Sequence, residues 1–254
     1  MGGAMIAGIR KAELVSGDAL MASDKTAEGL KRLKDIYGIL TTFDNKEAAA
    51  FADILFLAVK PYMFSEVIAE IKDSIKEDTI IVSIAAGQTI KSIEEAFGKP
   101  IKLVRTMPNT PAMVGEAMSA LCPNEQVSEE ELSMIKQIFD CFGVAEVVNE
   151  SLIDAVIGVS GSSPAYVYMF IEAMADAAVL GGMPRPQAYN FAAQAVLGSA
   201  KMVLETGMHP GALKDMVCSP GGTTIEAVRT LEALGFRSAV IEAMKVCEDK
   251  SRSL

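Results

Sequence analysis

The sequence predicts an α/β chain, a doubly wound parallel sheet in residues 1–150 followed by an all-α half in residues 151–254. Three observations predict it. Ile54-Leu55-Phe56-Leu57-Ala58-Val59 is a continuous apolar run, as expected of a central parallel strand buried on both faces. Strand-like and helix-like patterns alternate around it, the rhythm of βαβ units. After about Glu150 that rhythm ends and long, Ala-rich apolar helices take over.

Met1–Ile9 reads as a helix. Ala19 to Ser23 reads as a short strand, Lys25 to Tyr37 as an amphipathic helix, Ile39 to Thr42 as a strand and Lys46 to Ala52 as a short helix. Pro61 suits the first turn of the helix after the apolar run. Thr79 to Ile84 is a second buried strand and Lys102 to Thr106 a third. Ser128-Glu129-Glu130-Glu131 is a capping box that opens a helix to about Phe142. In the second half, helices are expected at Pro164 to Leu180, Gln187 to Glu205, Arg229 to Leu234 and Ser238 to Cys247. Tyr166, Phe170, Met174, Ala177 and Ala178 fall at helical spacing. These helices carry more apolar surface than about a hundred residues bury alone, so a homodimer or higher homo-oligomer is expected.

Composition narrows the function. The chain has 254 residues, 50% hydrophobic and 22% charged, with a net charge of −10 and no basic cluster. That argues against nucleic acid or an anionic membrane as partner. No apolar run reaches the length of a bilayer span, and the start lacks the charged region of a signal peptide, so a cytoplasmic protein is expected. Cys122, Cys141, Cys218 and Cys247 are scattered, His209 is the only histidine, and no metal site is expected. The cysteines are expected to be buried free thiols. A His-dependent dehydrogenase or hydrolase would have to use His209, which lies in a His-Pro-Gly turn.

One stretch stands out. Ser219-Pro220-Gly221-Gly222-Thr223-Thr224 runs straight into the apolar-periodic helix that starts at Ile225. Adjacent glycines permit positive φ and close approach of a ligand. A helix start adds unpaired N–H groups and the positive end of a dipole. Together they make an anion cradle of carboxylate size, with the Thr224 hydroxyl facing the same space. A glycine loop capped by threonine has the same sequence.

In the first half, a dinucleotide fold of the Rossmann type normally opens with a strand and Gly-x-Gly-x-x-Gly. Here Met1-Gly2-Gly3-Ala4-Met5 reads as the start of the helix behind the pyrophosphate turn, so the first strand is expected to be missing. Ser23-Asp24-Lys25 ends the strand that meets the adenosine ribose. Asp24 favours the free hydroxyl of NAD, Lys25 the extra phosphate of NADP, and Asp24 serves equally as a helix cap. Ala58, Val59, Lys60 and Pro61, like Ala85, Ala86 and Gly87, stand at the carboxyl ends of strands, where this fold binds ligands. Lys60 at a helix start opposes the dipole by about 0.3–1 kcal/mol, a conflict that an anion such as a cofactor phosphate would remove; a solvated lysine has the same sequence. Asn109 and Thr110 lie in a stiff loop between two prolines, either a lip over a nicotinamide or only a rigid turn.

Five segments occur in the order of one family: Leu57-Ala58-Val59-Lys60-Pro61, Ser83-Ile84-Ala85-Ala86-Gly87, Arg105-Thr106-Met107-Pro108-Asn109-Thr110-Pro111, Ser160-Gly161-Ser162-Ser163-Pro164-Ala165-Tyr166 and the Ser219–Thr224 loop. On these the chain resembles pyrroline-5-carboxylate reductases, over essentially its whole length. The resemblance implies NADPH- or NADH-dependent reduction of the C=N bond of 1-pyrroline-5-carboxylate to L-proline. It also implies an interlocked helical dimerisation domain, Asn45 as a further cofactor contact, and a strand and leading glycines of roughly ten residues ahead of Met1. Ser219, Gly221, Gly222, Thr223 and Thr224 would hold the substrate, with Thr224 catalytic. Ser163 stands where the family has glycine; a required positive φ there would add strain of order 1 kcal/mol. Two alternatives stay open. One is a related imine or hydroxyacid reductase, although the hydroxyacid class wants a lysine that Tyr166 to Leu180 lacks. The other is a non-catalytic homologue without the complete cofactor turn.

Overall fold

The computed structural model describes residues 1–253 and divides into two compact units. One runs from Met1 to Gly161 and includes the end of the last helix from Glu248; the other spans Ser162–Cys247.

The first unit opens with α1 (Gly2–Lys11). Strand β1 (Met21–Ser23), α2 (Ala27–Tyr37), β2 (Leu40–Thr42) and α3 (Asn45–Phe51) follow. Then come β3 (Ile54–Leu57), α4 (Phe64–Ile71), β4 (Ile80–Ser83), α5 (Ile90–Phe97), β5 (Lys102–Met107), β6 (Ala117–Pro123), α6 (Glu129–Asp140) and β7 (Gly143–Val147). The strands form two sheets. Parallel β1 and β2 pair alone, and the second sheet has the order β3-β4-β5-β6-β7. The latter is parallel except between β5 and β6, which run antiparallel.

Two apolar layers sandwich the five-stranded sheet. Phe64, Ile68 and Ile71 of α4 and Ile93 of α5 pack with Ile81 and Leu103. Met5 of α1 and Ile135, Phe139 and Phe142 pack with Val82, Val104 and Leu121. All four side chains of β4 are buried, as its apolar run predicts. The apolar run at Ile54 corrects the expectation of a central strand buried on both faces. It ends at Leu57, and Ile54, Leu55 and Phe56 are only half-buried, because β3 is the outermost strand of its sheet and has one ladder partner. The box at Ser128 forms: its hydroxyl accepts from the Glu131 N–H and the Glu131 carboxylate accepts from the Ser128 N–H. Strands β6 and β7 have no counterpart in the sequence reading.

Past β7 come the short α7 (Ile153–Val156) and one π-helical turn, Ile157–Gly161. The second unit is helical throughout: α8 (Ser163–Leu180), α9 (Arg185–Thr206), α10 (Pro210–Val217), α11 (Thr223–Ala233) and α12 (Phe236–Arg252), the last ending in the first unit. Ser163 is the first residue of α8, and Glu13 is the one non-glycine with positive φ among the described residues. The strain considered for Ser163 is therefore absent. α8 and α9 meet through small side chains, Ala175, Ala188 and Ala192. Ile171, Met174 and Val179 pack against them, whereas other large apolar residues face outward; Met169 is 68% exposed and Leu204 81%.

Candidate functional site

The residues expected to meet a dinucleotide sit where the strands and helices of the first unit end. α1 starts beside the end of β3: a Cβ on Gly2 would stand 3.4 Å from the Ala58 Cβ. Its first turn carries no acidic side chain, so nothing there opposes a phosphate at the helix dipole. Ala58, Lys60 and Pro61 are exposed and Val59 half-buried, in the turn between β3 and α4. Lys60 precedes the short 3-10 turn Pro61–Met63. Across the ladder, β4 ends in Ser83, whose hydroxyl accepts from the Ala85 N–H at 3.4 Å. Gly87 has φ +76°, a conformation that a side chain would strain.

At the other sheet, the Ser23 hydroxyl donates to Asn45 Oδ1 at 2.7 Å, and Asn45 Nδ2 donates to Glu70 at 2.8 Å. Asn45 is therefore not the cap that its sequence position suggests. Asp44 caps α3 by accepting from the Lys46 N–H at 2.8 Å. Asp24 folds back on its own chain. One carboxylate oxygen accepts from both the N–H and the hydroxyl of Thr26, each at 2.8 Å. Lys25 is exposed.

Asn109 is 8% exposed, while Thr110 beside it is exposed and opens a 3-10 turn. The Asn109 side chain donates to the Ser160 carbonyl at 2.9 Å and accepts from the Met118 N–H at 3.0 Å. Arg105, in the same segment, has a partner that no motif announces. Arg105 and Glu150 meet at 2.7 Å, and the same carboxylate oxygen accepts from the Ile90 N–H at the start of α5. The neighbouring Cys122 is buried, and burial pushes its thiol up to about 11, which makes it inert as a nucleophile. The other three cysteines are half-buried rather than buried, and all four are unpaired. Cys141, Cys218 and Cys247 lie on helices or at their ends, where part of each residue meets solvent.

In the second unit, the loop into α11 is a tight turn. The Gly222 N–H donates to the Ser219 carbonyl at 3.0 Å, with Pro220 and Gly221 between them. Gly221 has φ +65°; proline followed by a left-handed glycine is the residue pair of a type II turn. Gly222 differs, since its φ is −80° and any residue adopts it. A Cβ there would lie 2.3 Å from the Ser219 hydroxyl. Gly222 is the cap of α11 and has no side chain to satisfy the first N–H groups. Thr223 and Thr224 are the first two helical residues, so neither is the cap that the sequence allows. The first turn's one acid, Glu226, is engaged by Arg229 at 3.1 Å. His209 caps α10, its Nδ1 accepting from the Gly211 N–H at 3.0 Å, a use that ties its acceptor nitrogen to the backbone.

The structure thus brings the expected residues into two groups: strand-end positions in the first unit and the Ser219–Thr224 turn in the second. The π-turn at Ile157–Gly161 has no counterpart among the elements expected from sequence. Its only advance signal is the pair Gly158 and Gly161 inside an otherwise helical stretch.

Comparison with known proteins matches two segments to separate family models and the whole chain to single relatives. A family described as pyrroline-5-carboxylate reductase dimerisation matches residues 150–254. A family described as NADP oxidoreductase coenzyme F420-dependent matches residues 1–87. The pyrroline-5-carboxylate reductase of Escherichia coli is 55% identical over 254 residues, which is 100% of this chain and 94% of that protein. The solved structure of the enzyme from Coxiella burnetii superposes with a TM-score of 0.94 at 32% identity, covering 99% of this chain and 94% of that one. The Plasmodium falciparum pyrroline carboxylate reductase, solved with NADP bound, gives 0.89 at 32% identity, covering 100% and 94%.

Proposed function

The chain belongs to the pyrroline-5-carboxylate reductase family, and from that premise we propose how its own residues carry out the NAD(P)H-dependent reduction of 1-pyrroline-5-carboxylate to L-proline. The substrate is a cyclic imine bearing one carboxylate. Its C=N carbon takes a hydride and its nitrogen a proton. The protonated imine is already electrophilic, so the protein's task is orientation and charge complementarity more than strong acid catalysis.

The observation that carries the reading is the start of α11. The Ser219–Gly222 turn leaves N–H groups uncapped at the positive end of an eleven-residue helix. Such a start fits one carboxylate. Ser219, Gly221, Gly222 and Thr223 hold it, and the Thr224 hydroxyl hydrogen-bonds the imine nitrogen and orients its proton. Dinucleotide phosphates fit the α1 start beside Ala58, where the first turn has no acid and Gly2 no side chain to fill the space. Ala58, Val59, Lys60 and Pro61, with Ala85, Ala86 and Gly87, line the remainder. Ser23, Asp24, Lys25 and Asn45 receive the adenosine end, and Asn109 and Thr110 form the nicotinamide lip. When bound, the nicotinamide supplies the hydride.

The dimerisation family supports a homo-oligomer; a homodimer built on α8 and α9 is our reading. No helix among the described residues is long and apolar enough to cross a membrane. Placement in the cytoplasm is supported by the four unpaired cysteines.

Following NADPH and NADH absorbance with 1-pyrroline-5-carboxylate tests the activity. Oxidation that depends on the imine is expected. Failure of both cofactors with this substrate, alongside oxidation of β-hydroxyacids with NADP or NAD, would replace this reading with the hydroxyacid class.

A further inference from the structure

Asn109 has a job that its place in the cofactor lip does not explain. Its carboxamide is buried and both ends are taken by backbone, Nδ2 by the Ser160 carbonyl and Oδ1 by the Met118 N–H. The orientation is fixed by its partners. A flipped amide would set two acceptors against each other at Ser160 and two donors at Met118. Each end of the amide thus has one backbone partner, which fixes the plane of the side chain.

The two partners belong to different parts of the first unit. Met118 is the second residue of β6. Ser160 lies in the π-turn Ile157–Gly161, where the wider winding alters the usual helical bonding. The Ser160 carbonyl takes its donor from outside the helix. The neighbouring Gly161 confirms how closely this turn meets β5, since a Cβ there would stand 3.2 Å from the Met107 methyl. β5 is in turn tied to the end of β4, because the Thr106 hydroxyl donates to the Ser83 carbonyl at 3.0 Å. Asn109 therefore closes a line of contacts from the residues before Ala85–Gly87, across the end of β5, to the π-turn.

We propose that Asn109 is a positioning residue: its carboxamide clamps the π-turn to the ends of β5 and β6, and so sets the shape of the nicotinamide lip without touching the cofactor. The inference rests on the proposed cofactor site for its consequence and on the two hydrogen bonds for its mechanism. In the clamp's absence NADPH still binds through its phosphates and adenosine, whereas the lip no longer holds one geometry for hydride delivery.

Asn109→Asp keeps the acceptor for Met118 and turns the Ser160 contact repulsive; Asn109→Ala removes both bonds. The intact chain and both variants are titrated with NADPH by its fluorescence, assayed for kcat and KM, melted, and followed by amide hydrogen exchange. For Asn109→Asp the expectation is an NADPH Kd within about threefold of the parent and kcat lower by about tenfold or more. Exchange should quicken in 108–118 and 157–161 and stay unchanged in β3 and β4. A tenfold rise in Kd with kcat intact at saturation would overturn the proposal in favour of direct contact. Unchanged exchange in 157–161 would remove the clamp. A lower melting temperature with Kd and kcat both unchanged would reduce Asn109 to a stability role and equally refute positioning. Should neither Asn109 variant fold, Gly161→Ala disturbs the same turn from its other side. It is expected to lower kcat with Kd preserved, and parental kcat with altered exchange would count against the proposal. If the parent chain fails to reduce the imine at all, the functional reading fails alone, because the exchange data still report on the clamp.

Discussion

The two units solve the problem of burying apolar surface in opposite ways. In the first, the sheet is covered on both faces by side chains of its own chain. Phe64, Ile68, Ile81, Leu103, Phe139 and Phe142 all lie within 2% of full burial. In the second, α8 and α9 come together through alanines, and the large residues Phe170, Met174, Val196 and Val203 line an open groove of about 460 Å³. Small residues between helices permit close approach and leave the bulky ones for another surface. The first unit is thus built as a self-contained core. The second leaves large apolar side chains open, and it matches a dimerisation family; on the reading proposed above, a copy covers them.

The comparison breaks first where the self-contained core is broken. Phe139 is fully buried between Phe56, at 6.1 Å centre to centre, and Phe142, at 5.1 Å. Phe139→Ala should cost about 3–5 kcal/mol of stability, read from urea unfolding, and should not alter the oligomer's dissociation constant. A loss below about 1 kcal/mol would mean that this core is not closed. The second unit should answer in reverse. Val203→Asp sets a charge in the groove, and an unpaired charge that a partner must bury costs roughly 3 kcal/mol. Sedimentation should show the dissociation constant rising by about a hundredfold or more. Ile36→Asp, on the exposed face of α2 in the first unit, should leave it unchanged. If Val203→Asp assembles like the parent, the groove is not the face that joins copies.

The same contrast decides what the sequence could reveal. Fully covered strands announce themselves, and β4 could be read from Ile80, Ile81 and Val82. The run at Ile54 looks the same in sequence, yet β3 lies at a sheet edge; periodicity reports apolarity, and sheet position depends on partners far along the chain. Strand β6, Ala-Met-Ser-Ala-Leu-Cys-Pro, is made of small and flexible residues with little intrinsic strand preference, and long-range pairing with β5 creates it. The excess of apolar surface on α8 and α9 was legible because it needs only composition and helical spacing. In the candidate site, the Ser219–Thr224 turn was legible because proline and glycine fix local dihedrals. The roles of Gly221 and Gly222 were not separable, since one serves a φ and the other a close approach to Ser219. The Asn109–Ser160 contact joins residues 51 positions apart and leaves no local trace.

The proposed substrate turn sits in the second unit, which gives the third test. Thr224→Val keeps shape and removes the hydroxyl. It should lower kcat/KM by about 1.5–3 kcal/mol, mostly through kcat, with Thr224→Ser recovering most of the loss. Gly222 is the cap of α11, so melting should change little in either variant. A raised KM with kcat intact would transfer Thr224 to carboxylate binding.

The smallest expected effect lies at the rim of the self-contained unit, where polar ties add to a core that is already complete. Lys102 of β5 meets Glu131 of α6 at 2.7 Å. The hydrogen bond from Lys102, aided by that from the Ser128 N–H, holds the Glu131 carboxyl below its ordinary value. A carboxyl with a depressed folded-state pKa adds stability above the unfolded value of about 4.3, and that stability is lost as pH falls through the folded value. Glu131→Gln keeps an acceptor for Ser128 and removes the charge. At pH 7 it should cost no more than about 1 kcal/mol, as partly exposed pairs do. The difference from the parent should shrink as pH falls below about 4, because the parent then carries a neutral acid at the same place. Urea unfolding of both proteins from pH 7 to pH 3 measures this. A gap that stays constant across the range would show that the capping geometry, and not the ion pair with Lys102, is what Glu131 contributes to the joint between α6 and β5.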